Sequence, residues 1–223
     1  MAKIIFLGSG GSRYTMYSQA RATAGFLIIV DGEQVHVDPG PGSVVKAREF
    51  EEDLTKTSIV FASHHHIDNC NDLNVCVDAM TEGLKKAGTL VCSEKVAGIV
   101  LSPFHRDLLK SINVLKPGES VRINKLVFEA THTKFHDDAI GFILSAPSLK
   151  LGYTADTALH PKMFKLFKGL DVLVINDVMS FGLQYKGQMS SDDVVTFLNE
   201  TKPKLAVITH FGRTMIAANP LYE

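Results

Sequence analysis

With 223 residues, 45% of them hydrophobic and 21% charged, the chain has the composition of a folded globular protein, which argues against disordered and membrane classes. Lysine and arginine total 23 against 24 aspartates and glutamates, so the formal net charge of −1 gives no bulk electrostatic argument for nucleic-acid binding. No apolar run approaches the roughly 20 residues of a membrane helix, and Met1-Ala-Lys-Ile4 enters a strand pattern without a signal-peptide region, so a cytoplasmic protein with no membrane partner is expected.

Lys3 to Leu7 reads as a strand running into the small-residue loop Gly8-Ser-Gly-Gly-Ser12. The G-x-G-x-x-G pattern of a dinucleotide cradle fails there, because Arg13 stands where the third glycine would be and no apolar helix follows. Gly25 to Val30 and Glu33 to Val37 are β-rich runs on either side of Asp31-Gly32, the dipeptide of a tight hairpin, so the chain opens with antiparallel strands. Asp38-Pro-Gly-Pro-Gly42 forces a turn, after which Ser43 is placed to cap a helix reaching about Leu54. Ser58 to Ala62 is the next strand, Asp72 to Glu82 a helix, Thr89 to Cys92 a strand, Glu94 to Val100 helical and Ser111 to Leu115 a strand. Past the turn Lys116-Pro-Gly-Glu119, four short strands follow at Val121–Ile123, Leu126–Ala130, Ile140–Ala146 and Leu149–Tyr153. The chain continues as a helix from Pro161 to Phe167, a strand from Asp171 to Ile175, a helix opened by Ser190 with Asp193 in capping-box spacing, and a strand from Leu205 to Thr209. Two groups of strands with helices interspersed predict a layered α/β fold, read as one domain over residues 1–223, with loops at one sheet edge carrying the chemistry. Cys70, Cys76 and Cys92 form no C-x-x-C pair and are odd in number, so reduced, packed thiols are expected.

The strand ending at Ala62 is followed by Ser-His64-His65-His66-Ile-Asp68. In extended backbone, side chains two apart point the same way, so His64, His66 and Asp68 are expected to converge while His65 faces away. Imidazole and carboxylate are ligands that zinc and related divalent metals accept. Three later strand ends carry the same residue types: His132 and His136 to Asp138, Asp156, and His210. One such site is commonly a hydrogen-bonded cap; their recurrence points to a metal centre.

On these residues the chain resembles the metallo-β-lactamase superfamily. Gly8-Ser-Gly-Gly-Ser12, Val37-Asp-Pro-Gly-Pro-Gly42, His64-His-His66-Ile-Asp68, Gly152-Tyr-Thr-Ala-Asp156-Thr157 and Thr209-His210-Phe-Gly212 follow the family's order. The text Asp72-Leu-Asn-Val75 and Asp78-Ala-Met-Thr81 is similar to that of uncharacterised archaeal metal-dependent hydrolases. The resemblance implies a four-layer αβ/βα sandwich. It implies that His64 and His66 hold a first metal with His136, His132 being the reserve; that Asp156 bridges two metals; and that Asp68 and His210 serve the second. Asn69 stands where the family usually has a histidine for that second metal.

The expected function is a metal-dependent hydrolase that uses metal-bound hydroxide on an ester-type bond, a phosphodiester being favoured, in a small molecule or a nucleic acid. A divalent metal lowers the pKa of bound water from about 15.7 to about 7, and Asp68 is the expected catalytic group that orients this water and accepts its proton. Zinc is the expected metal, one or two ions per chain, with manganese and iron as alternatives, and a homo-oligomer is compatible with the sequence. The competing reading is a non-catalytic metal-binding or scaffolding protein that keeps the fold with a degraded second site, for which Asn69 speaks. A third, a thiol enzyme built on Cys70, has the residue type without a positional signature. An amide oxygen is a poorer ligand than imidazole, so metal analysis of the purified protein is expected to find one tightly held ion per chain, and Asn69→His to raise that content; two tight ions in the unaltered chain contradict this.

Overall fold

The computed structural model describes residues 2–135 and 138–219. The chain divides into two compact units, one comprising Met1–Ser9 with Gln19–Leu115, the other Gly10–Ser18 with Lys116–Glu223. In the first, β1 (Lys3–Phe6), β2 (Phe26–Val30), β3 (Glu33–Val37), β4 (Ile59–Ala62), β5 (Ala87–Cys92) and β6 (Leu109–Val114) lie side by side in chain order. β1, β2 and β3 pair antiparallel, and from β3 to β6 every pairing is parallel. The hairpin between β2 and β3 turns as its sequence requires, with Asp31 and Gly32 both at positive φ (51° and 89°). The parallel strands need crossover segments, and one of these is the helix Leu73–Thr81. Its Leu73, Val77 and Met80, spaced along one face, pack with Val60, Ala62, Leu90 and Cys92.

The second unit repeats the plan. β7 (Ser120–Ile123), β8 (Leu126–His132), β9 (Ile140–Ser145) and β10 (Lys150–Tyr153) form an antiparallel meander, and β11 (Val172–Asn176) and β12 (Leu205–Thr209) extend it in parallel. Met163 and Phe167 from one crossover and Val194 and Phe197 from the other pack with Leu173 and Ile175 of β11. The capping box at Ser190 and Asp193 is present. Two six-stranded sheets with helices between their strands are the α/β class that the alternating elements predict. No helix among the described residues is long and apolar enough to cross a membrane.

Local rules fail where the decisive partner is distant. The helix after the proline turn runs from Ser43 to Glu49 and is capped from outside: Gly42 N and Ser43 N both donate to Asp72 Oδ2 at 2.9 Å, while Ser43 Oγ lies 2.9 Å from Ala24 O and 2.8 Å from Gly40 O. It stops short of Leu54 because Glu51 turns left-handed (φ 58°) and Asp53 starts a separate one-turn helix by accepting from Thr55 N. Further helices at Ser12–Ser18, Ile67–Cys70, Pro103–Leu108 and Arg213–Ala218 are too short to show a period in the sequence.

His36 on β3 is fully buried, its Nε2 3.4 Å from Ala24 O, and burial pushes its pKa down to about 4. The unfolded chain, titrating near 6.5, binds the extra proton first, so this contribution to stability is complete above pH 6.5 and is lost as the pH falls toward 4. Urea melts of the unaltered chain are expected to lose about 2 kcal/mol from this group between pH 7 and pH 5, a dependence absent in His36→Asn. Equal pH dependence in the two proteins contradicts the assignment.

Candidate metal centre

Parallel pairing sets the site residues of the first unit. Val37 of β3 lies opposite Phe61 of β4, so Asp38 follows the end of β3 beside the end of β4, and its N donates to Phe61 O at 2.9 Å. Its left-handed backbone (φ 42°) turns the carboxylate back onto the neighbouring strand end, where it accepts from Ser63 N and Ser63 Oγ, each at 2.6 Å. Ser63 Oγ is in turn 2.9 Å from His64 Nδ1. A hydroxyl has one proton, and here it goes to the carboxylate, so His64 Nδ1 must donate to Ser63 Oγ. That fixes the tautomer with Nε2 unprotonated and its lone pair available as a metal ligand. Asn69 Nδ2, 3.5 Å from the same Nε2, is a donor facing that acceptor. His64 is wholly buried, and the half-buried ring of His66 stands edge-on to it with centroids 4.6 Å apart.

The rings of His64 and His66 lie together, but the strand ends at Ala62 and the chain bends at His65, whose ring also stands 5.4 Å from that of His66. Asn69 N and Cys70 N both donate to His66 O (3.0 and 3.1 Å), starting the helix Ile67–Cys70, so buried Asp68 is placed by a helical turn and not by strand pleating. The proline turn packs against this helix: a Cβ on Gly40 would overlap the carbonyls of Thr23 and Asp68, and Asp72 N donates to Pro39 O at 2.8 Å. Glycine is required there because backbone meets backbone. Cys70 Sγ donates to His66 O, and burial pushes the Cys70 and Cys92 thiols up to about 12 and the Cys76 thiol higher still. All three are buried, away from the exposed, activated setting a nucleophilic thiol needs.

In the second unit the registers Tyr153–Val174 and Asn176–Thr209 bring Asp156, Asn176 and His210 to the carboxyl ends of three parallel strands. Ala155 (φ 52°) and His210 (φ 63°) are left-handed, each reversing the chain where its strand ends. Asp156 is buried with Oδ1 3.1 Å from His210 Nε2 and 2.7 Å from the Asn176 amide, while Oδ2 accepts from Gln188 Nε2 at 3.0 Å. A Cβ on Gly11 would overlap the His210 ring, and Gly11 N donates to Phe211 O at 3.0 Å. The glycine loop thus makes room for a histidine. Sequence reasoning misses Asn176 and Gln188, since neutral amides carry no ligand signal of their own.

Exposed His132 ends β8, and its carbonyl lies 3.2 Å from Nε2 of buried His160. His136, the preferred third ligand for the first metal, and Asp137 lie outside the described residues. Asp177 Oδ2 accepts from Ser191 Oγ at 2.9 Å. Among the described residues no three histidines, cysteines or acids form a group that could hold a metal by themselves; at the predicted ligand positions the structure pairs His64 with His66 and Asp156 with His210. The donor atoms, imidazole nitrogen and carboxylate oxygen, fit zinc, manganese and iron alike.

A family model described as the beta-lactamase superfamily domain matches residues 33–211. The chain belongs to the metallo-β-lactamase superfamily. An uncharacterized protein of Methanocaldococcus jannaschii is 36% identical over 231 residues, covering 99% of this chain and 86% of the relative. Among solved structures, the metallo-β-lactamase fold protein YhfI from Bacillus subtilis has a TM-score of 0.80 at 18% identity, covering 100% of this chain and 90% of that one. Human tRNase Z, short form, has a TM-score of 0.80 at 15% identity, covering 96% and 93%. At these identities the structures show the fold, which is the one the sequence motifs imply.

The Asp38–Ser63–His64 relay gives the aspartate of the proline turn a structural role, since it holds one imidazole with Nδ1 as the donor. Loss of a hydrogen-bond partner behind a metal ligand typically costs about 10–100-fold in metal affinity. Ser63→Ala is expected to weaken zinc binding by about that factor in competition with a chromophoric chelator, with an unchanged circular dichroism spectrum; unchanged affinity contradicts the relay.

Proposed function

We propose that the chain is a metal-dependent phosphodiester hydrolase, with zinc as the metal, in a cytoplasmic setting, both units acting as one functional domain. Membership of a superfamily of metal-dependent hydrolases supports the general class, and the observation that carries the reading is the buried Asp156–His210 pair with Nε2 and Oδ1 3.1 Å apart. Burying an acid and an imidazole with their ligating atoms face to face is costly unless the pair is hydrogen-bonded or holds a cation. In this reading the metal ligands are His64, His66, Asp68, His136, Asp156 and His210. A bound divalent ion supplies Lewis acidity, polarising the ester oxygen and bringing the ionisation of water toward neutral pH.

The chain's own residues do the rest. Ser63 and Asp38 hold His64 with Nε2 as the acceptor. Asn176 and Gln188 each donate to a different oxygen of Asp156, fixing the plane of its carboxylate. Asp68 is the proton acceptor, its carboxylate set by the first turn of Ile67–Cys70. Asn69 is the observation that favours a metal-binding scaffold instead, because its amide stands where an imidazole ligand is usual.

Hydrolysis of a generic phosphodiester by zinc- or manganese-loaded protein separates the two readings. Asp156→Ala and His210→Ala are each expected to lower the rate at least about 100-fold, in keeping with removal of a group acting on the transition state, and also to lower metal content. Chelator should abolish the activity and zinc restore it. Metal-loaded protein without turnover on phosphodiester, thioester or lactone substrates, but with a melting temperature that falls on chelation, establishes the scaffold.

A further inference from the structure

Two open grooves in the second unit meet at His132. One, of about 600 Å³, is lined by Lys134, Phe135, Ala158, Lys186 and Gly187 among others. The second, of about 460 Å³, is lined by Pro161, Lys162, Lys165 and Leu166. Four lysines and a histidine line the pair, and no aspartate or glutamate is among the described residues that line either; Asp138, in the same loop as Lys134, lines neither groove. In a chain of net charge −1 this is a local concentration of cations facing open space.

The wall carrying Lys186 is unusual in composition. Between Ser180 and Gln188 the chain makes two successive β-turns, Leu183 N donating to Ser180 O at 3.3 Å and Gln188 N to Tyr185 O at 3.1 Å. Gly182 (φ 71°) and Gly187 (φ 86°) each occupy the third position, where a left-handed residue is required. The turns leave Phe181 50% and Tyr185 65% exposed; neither ring is among the groove-lining residues, and Tyr185 precedes groove-lining Lys186 in the chain. Water-exposed aromatic rings on fixed turns next to lysines are what a stacked base and its phosphate need together; a phosphate-only ligand has no use for the rings.

The groove also abuts the acidic half-site. Lys134 N donates to Thr157 Oγ1 at 2.8 Å, one residue past Asp156, and Gln188, adjacent to groove-lining Gly187, donates to Asp156 itself at 3.0 Å. A Cβ on Gly187 would press on the Phe135 ring, so the turn and the Lys134–Phe135 segment pack directly together.

We propose that this groove binds single-stranded nucleic acid, its backbone on Lys134, Lys186, Lys162 and Lys165 and a base on Tyr185. As a substrate assignment this rests on the phosphodiesterase reading; as a binding site it stands on the groove alone. The test is fluorescence anisotropy with labelled single strands of about 12 nucleotides, the matching duplex, and polyphosphate of equal charge as competitor, with strand integrity checked on a gel. The single strand is expected to bind more tightly than either alternative, with log affinity falling against log salt at a slope of about −2 to −3 for three to four neutralised phosphates. Lys134→Ala with Lys186→Ala should shrink that slope by about 0.7 per lysine, Tyr185→Ala should weaken binding about tenfold with the slope unchanged, and Lys110→Ala on β6 should change neither. Equal affinity for polyphosphate, preference for duplex, or a neutral Tyr185→Ala overturns the proposal. If the generic phosphodiester is cleaved while no strand is bound, the groove assignment falls and the hydrolase stands; if strands bind and no diester is cleaved, the reverse holds.

Discussion

Everything at the candidate centre depends on parallel strand pairing. Parallel neighbours end on the same side, so residues that follow them are brought together without being near in sequence, and open α/β sheets bind ligands at those carboxyl ends for this reason. Asp38 meets Ser63 because β3 and β4 run in parallel with Val37 opposite Phe61. Asp156, Asn176 and His210 meet because β10, β11 and β12 do the same. β4 and β11 are buried on both faces, so slipping either register by one residue would act by separating these side chains. Each unit thus begins with antiparallel strands and finishes as a parallel array, which gathers functional groups.

The hydrogen bonds behind the ligand candidates follow from that gathering. An imidazole in water is free to tautomerise and rotate; His64, wholly buried, is not. The chain Asp38, Ser63, His64 transmits one proton assignment through two contacts of 2.6 and 2.9 Å. On the other unit, Asp156 accepts from two amides as well as facing His210. A metal ligand so held loses little freedom on binding, which is the physical advantage of preorganisation. The left-handed backbone at Asp38, Ala155 and His210 is the local cost of turning sharply at strand ends.

Strand existence, the Asp31-Gly32 hairpin and the capping box at Ser190 are legible in sequence, since each is set by residues within a few positions. The ligand candidates are legible because histidine and aspartate recur after apolar runs. What sequence hides is long-range. Asp72 caps the helix at Ser43 from 29 residues away, which no local capping rule reveals. Asp68 belongs to a four-residue helix too short for any periodic signal. Gly11 has the look of a phosphate loop and is instead the space for His210. Gln188 and Asn176 are ordinary polar residues until the fold aims them at Asp156, and the lysines flanking His132 are scattered through a chain of near-zero net charge.

The most direct test of the central claim is an anomalous difference map at the zinc edge from crystals of zinc-loaded protein. The account predicts density about 2.0–2.2 Å from Nε2 of His64 and from the facing donors of Asp156 and His210, with no zinc on the buried cysteines. Full zinc occupancy elsewhere, with His64 Nε2 and the Asp156–His210 pair uncoordinated, contradicts it.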